Sequence, residues 1–404
     1  MENKYIKIIE LEQHTPMWHF QPTETDCCLR ASEVKPKLDR FLAKKLYKNE
    51  VTSFNYKMSF IPIGKKEIIE DSYINNNRKK ANKFPLYFGN INKNNKQLVF
   101  YPEGIEMKLF SFDSQLLEDI VGCLNNFFAC TSFGTRQNKG FGFFYPKNKE
   151  FDDSAASYLF DVPVDKSKYD ELFNYIYYFH KMIRSGINEK KAYYKSFMYH
   201  YALNCGENWD KPVIRHHFQL FNPVYEHICG IPSTDPRIKD KYKERQEMKD
   251  NYIRLKKDIK YRNSPWLFRE AIGLSNAQIW RDYDDTIIIE STNHDIKRFK
   301  SPITYRPVPA KGKYNIYLYI TDIPQKYMDT TFEIKDKPKT GPGKTPMADM
   351  KIYDKFSLEG YLDFVINHCH ICKSIGNNQN SYADHIFKRG ENGYINFRKI
   401  KRNK

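Results

Sequence analysis

The strongest chemistry in this sequence lies in ten residues, Phe133-Gly134-Thr135-Arg136-Gln137-Asn138-Lys139-Gly140-Phe141-Gly142. Glycines remove side-chain bulk, so main-chain amides can approach an anion and line a concavity for its oxygens. Arg136 and Lys139 add positive charge, with Gln137 and Asn138 between them. The pattern suits a polyphosphate backbone. It equally suits a tight turn whose glycines only permit positive φ.

Other basic groups extend the candidate surface. The segment 335–344 carries Lys335, Lys337, Lys339 and Lys344 among Pro338, Gly341, Pro342 and Gly343. Such a loop has no core signal, and two readings stand: an arm reaching into an RNA groove, or a solvated loop. Lys388, Arg389, Arg398, Lys399, Lys401 and Arg402 concentrate charge at the end of the sequence, a common and unspecific feature. Lys35, Lys37, Arg40, Lys44 and Lys45 lie on a helix expected from Leu29 to Leu46.

Catalytic candidates are sparser. His14 and His19 flank Thr15-Pro16-Met17, and His216-His217 fall in a segment, Val213 to Val224, that reads as extended. A histidine can serve a metal-free ribonuclease as general acid or base, and His14 is the candidate for that role. No His/Lys/Tyr constellation assembles from spacing alone. His368-Cys369-His370-Ile371-Cys372 sits at a helix end with no second ligand pair at usable spacing, and Cys27-Cys28 is adjacent, so buried thiols are expected and no metal or cofactor. Neither a Gly-x-x-x-x-Gly-Lys-Ser/Thr phosphate loop nor a Gly-Gly-Asp-Asp polymerase pattern is present.

Composition agrees with a polyanionic partner. The 404 residues hold 66 Lys and Arg against 49 Asp and Glu, a formal charge of +17, and such a surplus displaces counterions from phosphates. Of the 30 Tyr and 29 Phe, most belong to cores and some suit stacking on unpaired bases. No apolar run approaches the roughly 20 residues that span a bilayer, so no membrane partner is expected. Met1 to Ile9 is charged and strand-like rather than a signal peptide, and the eight cysteines read as reduced thiols. A cytoplasmic protein is expected.

The elements that must position the loop follow from periodicity. Tyr5 to Leu11 alternates as a half-buried strand. Val34, Leu38, Phe41, Leu42 and Leu46 make a helical stripe, as do Leu117, Ile120, Val121, Leu124 and Phe128. Extended segments are expected at Ser53 to Ile63, Gln97 to Phe112 and Gly140 to Tyr145. Strand, helix, strands, helix, strand is the ferredoxin-like plan of RNA-recognition (RRM) domains. Lys166 to Leu203 reads as two helices broken near Ser185-Gly186, Asp235 to Arg262 as a charged arm, and Pro265 to Leu274 and Leu358 to Cys369 as helices. Strands are expected at Thr286 to Glu290, Tyr314 to Thr321 and Asn392 to Ile400.

The two halves also match each other. Cys130-Thr-Ser-Phe-Gly-Thr-Arg-Gln-Asn138 aligns without gaps to Cys372-Lys-Ser-Ile-Gly-Asn-Asn-Gln-Asn380, sharing Cys, Ser, Gly, Gln and Asn, and the apolar helix before it matches at the same offset. The match falls at one junction in both halves, helix into glycine loop into strand, which marks a duplication. The copy near Gly376 lacks the basic residues of the first.

A glycine loop between the last helix and last strand of a ferredoxin-like domain resembles the signature of the RAMP superfamily of CRISPR-associated proteins. Thr15-Pro16-Met17 followed by Leu29-Arg30-Ala31-Ser32-Glu33-Val34-Lys35 looks like the N-terminal pattern of type III effector RAMP subunits. Pro265 to Leu274 and Arg298-Phe-Lys-Ser-Pro-Ile-Thr-Tyr-Arg306 resemble the helix and strand entry of their second domains. The two-domain chain is most similar to the head subunit of type III-B complexes.

The resemblance implies an α+β chain of two ferredoxin-like (RRM-like) RAMP domains with helical insertions: 1–164, a helical insertion at 165–210, and 211–404 with the charged arm at about 235–262. It implies a non-catalytic subunit that binds the 3′ portion of guide RNA, target RNA, or both, beside other subunits of the effector. Arg30 and Lys35 are the expected neighbours of Arg136. Two alternatives remain: a guide-processing endoribonuclease, as some RAMP relatives are, and an adaptor that touches only protein.

Overall fold

The computed structural model describes residues 4–18, 28–51, 53–70, 72–74, 80–82, 97–189, 192–218, 266–274, 277–280, 285–337, 343, 345–369, 382–387 and 396–401. The chain divides into two compact units, one of residues 1–180, 303–320 and 366–404, the other of residues 181–302 and 321–365.

The first unit opens with β1 (Ile6–Gln13), α1 (Ala31–Lys45), β2 (Lys57–Pro62), β3 (Ile105–Phe110), α2 (Ser114–Cys130) and β4 (Phe144–Pro146). Its sheet runs in the order β2-β3-β1-β4, every pair antiparallel. This is the expected ferredoxin-like plan. Alternation sends Leu11 of β1 and Ile105, Met107 and Leu109 of β3 inward, where they meet Val34, Leu38 and Leu42 of α1 and Leu117, Ile120 and Leu124 of α2. Asp113 caps α2 by accepting from the Leu116 amide at 3.1 Å. The strand expected from Gly140 shortens to three residues, because the peptides before it belong to the glycine loop.

The same plan then recurs. β5 (Tyr158–Val162), α3 (Tyr169–Arg184), β6 (Ile303–Ala310), β7 (Lys313–Ile320), α4 (Tyr382–Phe387) and β8 (Arg398–Lys399) follow in turn, and their sheet reads β6-β7-β5-β8, again antiparallel throughout. Strand order is identical in the two copies, second-third-first-fourth. Phe179 of α3 packs on Phe160, Phe387 and Phe397 with ring centroids 4.7, 5.4 and 4.9 Å away. Pro307 and Pro309 sit on β6, an edge strand, where a missing amide costs no ladder bond.

The second repeat is therefore placed differently from its expected span. It begins at Tyr158, before residue 164, and the helix inside 165–210 is its own first helix rather than an insertion. The residues that interrupt it build the second unit. There the hairpin Ile187–Glu189/Ala192–Tyr194, the helices Phe197–Asn204 and Asp210–Phe218, and a five-stranded sheet are found. That sheet orders Trp266–Leu267, Met347–Ile352, Thr331–Lys337, Asp285–Ser291 and Ala277–Trp280.

Two local expectations change. The stretch from Val213 is helical up to Phe218, since Pro212 lies in the first turn of Asp210–Phe218, where a missing amide is tolerated. Pro265 to Leu274 is not a helix but a two-residue strand and a 3-10 turn, Arg269–Ile272. Arg269 and Glu270 are buried there, Arg269 paired with Asp210 at 2.8 Å. The charged arm at 235–262 and the second glycine loop near Gly376 lie outside the described residues.

Two glycines measure how tightly the loop is packed. A Cβ on Gly142, at φ +65, would stand 2.0 Å from the Phe133 carbonyl oxygen, whereas one on Gly122, in the middle of α2, meets nothing within 4 Å. Gly142→Ala should cost roughly 2–4 kcal/mol of stability, and Gly122→Ala should add roughly 0.5–1 kcal/mol. Denaturant unfolding of the full chain measures both.

Candidate nucleic-acid interface

The glycine loop connects α2 to β4, and its hydrogen bonds run inward. The Phe133 amide donates to Gly142 O (2.9 Å), Thr135 N to Trp18 O (2.8 Å), Lys139 N to Arg136 O (2.8 Å), Gly140 N to Gln137 O (3.4 Å) and Gly142 N to Pro16 O (2.9 Å). Gly134 N donates to the Glu33 carboxylate at 2.9 Å, and Phe143 N to the Thr15 hydroxyl at 3.1 Å. The expected clamp of glycine amides on phosphate is corrected by this geometry. All three glycine amides are spent within the protein, and those of Gly142, Thr135 and Phe143 knit the loop to Thr15-Pro16-Met17-Trp18, itself pinned by a reciprocal pair between Met17 and Val99. The glycines serve close approach: a Cβ on Gly134 would lie 2.2 Å from Trp18 O, and one on Gly140 would lie 2.9 Å from Pro307 Cγ.

The loop's charged side chains sit on its central turn. Gln137–Lys139 is a 3-10 turn flanked by Arg136 at φ 60 and Gly140 at φ 92. Arg136, Gln137, Asn138 and Lys139 are half-buried, while Gly134, Gly140 and Gly142 are buried. Arg136 lies over the Trp18 ring, its Cζ 4.0 Å from the centroid.

Two residues not singled out from sequence hold this turn. Glu33, in the first turn of α1, accepts from Gly134 N, Lys37 Nζ (3.1 Å) and Gln137 Nε2 (3.5 Å). Lys37 Nζ also donates to Ser132 O and the Gln137 side chain, and burial, with Arg306 and Arg40 nearby, moves its pKa down against the pull of Glu33. Arg306 of β6 is 3% exposed. Its guanidinium donates to Ala129 O (3.2 Å), Cys130 O (2.7 Å), Gln137 O (3.4 Å) and Tyr305 O (3.1 Å). Among the described residues it has no carboxylate partner; the last carbonyls of α2, the negative end of the helix dipole, take that place. Burial lowers its pKa to about 10, so it stays charged at neutral pH. Its only sequence signal was the quoted strand entry ending at Arg306.

The other expected residues are distributed as follows. Lys35 faces away from the loop, bonding Asp39 (2.8 Å) and Phe54 O (3.0 Å) over the Tyr56 ring, so it is not the neighbour of Arg136. One helical position separates it from Lys37, which meets the loop instead, at Ser132 O and the Gln137 side chain. Arg30 is the exposed N-cap residue of α1. Lys337 is exposed at the end of a strand of the second unit, and Lys339 and Lys344 lie outside the described residues. His14 is 7% exposed, edge-on to Phe143, with Glu12 3.9 Å away. Burial, aided by Lys166 and opposed by Glu12, lowers its pKa to about 4. At neutral pH it is an uncharged, enclosed imidazole. Among the described residues no group of His, Cys, Asp and Glu is arranged to hold a metal ion, and no helix is long and apolar enough to cross a membrane.

Comparison with known families decides where the chain belongs. The model of the Cmr1 N-terminal domain matches residues 4–187, and that of the Cmr1 C-terminal domain matches residues 193–392. The chain belongs to the Cmr1 family. It is thus a subunit of the type III-B CRISPR (Cmr) effector and a RAMP protein, as its loop and duplicated fold resembled. No curated protein matches it. The two Cmr1 matches meet in the hairpin Ile187–Glu189/Ala192–Tyr194.

Two measurements probe the scaffold of this Cmr1 chain. Arg306→Leu strands the carbonyls of Ala129 and Cys130 without their donor and should cost roughly 2–4 kcal/mol, read by chemical unfolding. His14 titrates at about 4 when folded and near 6.5 when unfolded. Its contribution is complete above pH 6.5 and is lost as pH falls toward 4, because only the unfolded chain takes up the proton. The loss amounts to about 3 kcal/mol, and His14→Gln should remove that part of the stability–pH slope.

Proposed function

We propose that this Cmr1 chain is a non-catalytic RNA-binding subunit, acting in the cytoplasm within the effector complex. It holds the backbone of the guide RNA's 3′ portion, of target RNA, or of both. The observation that carries the reading is the Arg136–Lys139 turn: a short cationic segment of half-buried residues, fastened by Glu33 on one side and Arg306 on the other. So much internal structure spent on a loop that does nothing would be unusual, and positive charge at its tip suits phosphate.

The mechanism differs from a glycine-amide clamp. Side chains of Arg136 and Lys139 contact phosphate oxygens, and phosphates carry no base identity. Little sequence preference follows. Arg30, on the α1 end nearest the Thr15–Trp18 segment in sequence, is a secondary candidate for the same strand, and the exposed Lys337 is a separate candidate within its own unit.

Arg136→Ala combined with Lys139→Ala should weaken binding to the same degree across RNA sequences and reduce the slope of log K against log salt by roughly 1.4, the value for two lost single-strand phosphate contacts. An unchanged slope argues against the loop. Incubating excess purified protein with repeat-derived RNA in chelator should give no cleavage; cutting would restore the endoribonuclease reading. Crosslinking in the assembled complex should yield RNA adducts, and their absence would favour a protein-only adaptor.

A further inference from the structure

The face of the β2-β3-β1-β4 sheet that turns away from α1 and α2 is not simply polar. Register sets Lys57, Phe110 and Ile6 side by side across β2, β3 and β1, and Ser59, Lys108 and Ile8 in the next row. They alternate along β3 with Met107 and Leu109, which belong to the core, so they stand on the opposite face. Ile8 is 59% exposed, and Phe112, two residues past Phe110, is 81% exposed. Phe112 meets Phe110 edge-on with centroids 5.0 Å apart, and Tyr5 at 6.4 Å. An apolar residue just before a helix N-cap ordinarily packs back on the first turns of the helix, but that exposure leaves no such staple between Phe112 and the buried Leu117. Large apolar side chains exposed together mark an interaction surface.

Charge says what kind. Lys57 and Lys108 are exposed and form no ion pair among the described residues, and Lys4 lies over the Tyr5 ring, 5.0 Å from its centroid. The acids at the start of α2 are engaged: Asp113 caps the helix, and Glu118 pairs with Lys7 at 2.6 Å. Glu106 and Glu10 fall one row further along the sheet, and Lys147 holds Glu10 at 2.8 Å. We infer that this end of the sheet is a second RNA contact, where an unpaired base stacks on Phe112 while Lys57 and Lys108 meet the neighbouring phosphates. The inference rests on the RNA-binding reading above, but it engages bases where the Arg136–Lys139 turn engages backbone. An exposed aromatic ring among ammonium groups complements the two parts of an unpaired nucleotide, its flat π-face and its charge. A protein partner fits less well, because lysine is depleted from protein interfaces and Lys108 stands on an interior strand between Ser59 and Ile8. Every base has a π-face, so the contact tolerates any sequence.

The test reads equilibrium binding of the full chain to an unstructured uridine homopolymer. Phe112→Ala changes an exposed side chain and should weaken binding about tenfold, the worth of one stacked base, without altering the slope of log K against log salt. Phe112→Trp should bind at least as tightly as the wild type, and Phe112→Leu should stay weak, since leucine keeps apolar area but offers no ring. Lys57→Gln with Lys108→Gln should instead lower the slope by roughly 1.4. A polymer carrying 4-thiouridine should crosslink to the peptide that contains Phe112. Wild-type binding by Phe112→Ala, or full rescue by Phe112→Leu, overturns the inference. So does a Phe112→Ala chain that binds RNA normally yet no longer joins its complex, which would make the face a protein dock. If Arg136→Ala/Lys139→Ala weakens binding and Phe112→Ala does not, the platform alone fails; if neither does, the RNA-binding reading fails with it.

Discussion

A charged guanidinium with no carboxylate partner among the described residues sits where α2 ends, and the loop's geometry follows from it. Arg306 is enclosed, yet its donors are distributed over carbonyls of Ala129, Cys130, Gln137 and Tyr305. A helix terminus leaves its last carbonyls without intrahelical partners, and a buried cation needs negative potential around it. Each solves the other's problem. Because Arg306 stands on β6 of the second repeat and α2 belongs to the first, the two copies are joined at the very residues from which the glycine loop departs. Pro307, beside it, fits against Gly140, where even a methyl group would collide.

That arrangement changes what the glycines mean. In the sequence they suggested amides free to cradle a phosphate. In the structure the amides of Phe133, Gly134, Thr135, Lys139, Gly140 and Gly142 all donate within the protein. Glycine is required because main chain passes close to main chain, as between Gly142 and Phe133 or Gly134 and Trp18. The proposed contact with RNA therefore falls to the side chains of the turn rather than to its amides. The acidic Glu33 belongs to the same logic. A carboxylate beside a proposed RNA contact would ordinarily repel phosphate, but here its charge is occupied by Lys37 and by two loop donors.

Much of this was legible in the sequence, for reasons that also explain the misses. The stripes of α1 and α2 and the alternation of β1 are local patterns, and local patterns survive translation into structure. A duplication was visible in the sequence, although the stretch that suggested it, Cys372 to Asn380, lies outside the described residues and the recurrence itself rests on two sheets of one strand order. Its extent was not: α3 and β6 are adjacent in the fold but separated by more than a hundred residues of a second unit, whose strands and helices have the same periodicities as those they interrupt. Hydrogen-bond partners were hidden for a similar reason. Thr15-Pro16-Met17 and the glycine loop were each noticed as motifs, but nothing in a linear pattern says that one is the pairing strand of the other. Arg306 reads in sequence as one more basic residue in a basic chain, and only burial distinguishes it. Lys35 and Lys37 differ by two positions on a helix, about 200° of rotation, enough to exchange the residue that meets the loop.

The central claim is that the loop's amides are spent internally and its side chains face the RNA. Amide hydrogen exchange of the protein with and without bound RNA tests it most directly. The account predicts that the amides of Phe133, Gly134, Thr135 and Gly142 are already protected in the RNA-free chain and barely change on binding. Fast exchange of these amides in the free protein, followed by strong protection when RNA is added, would contradict it.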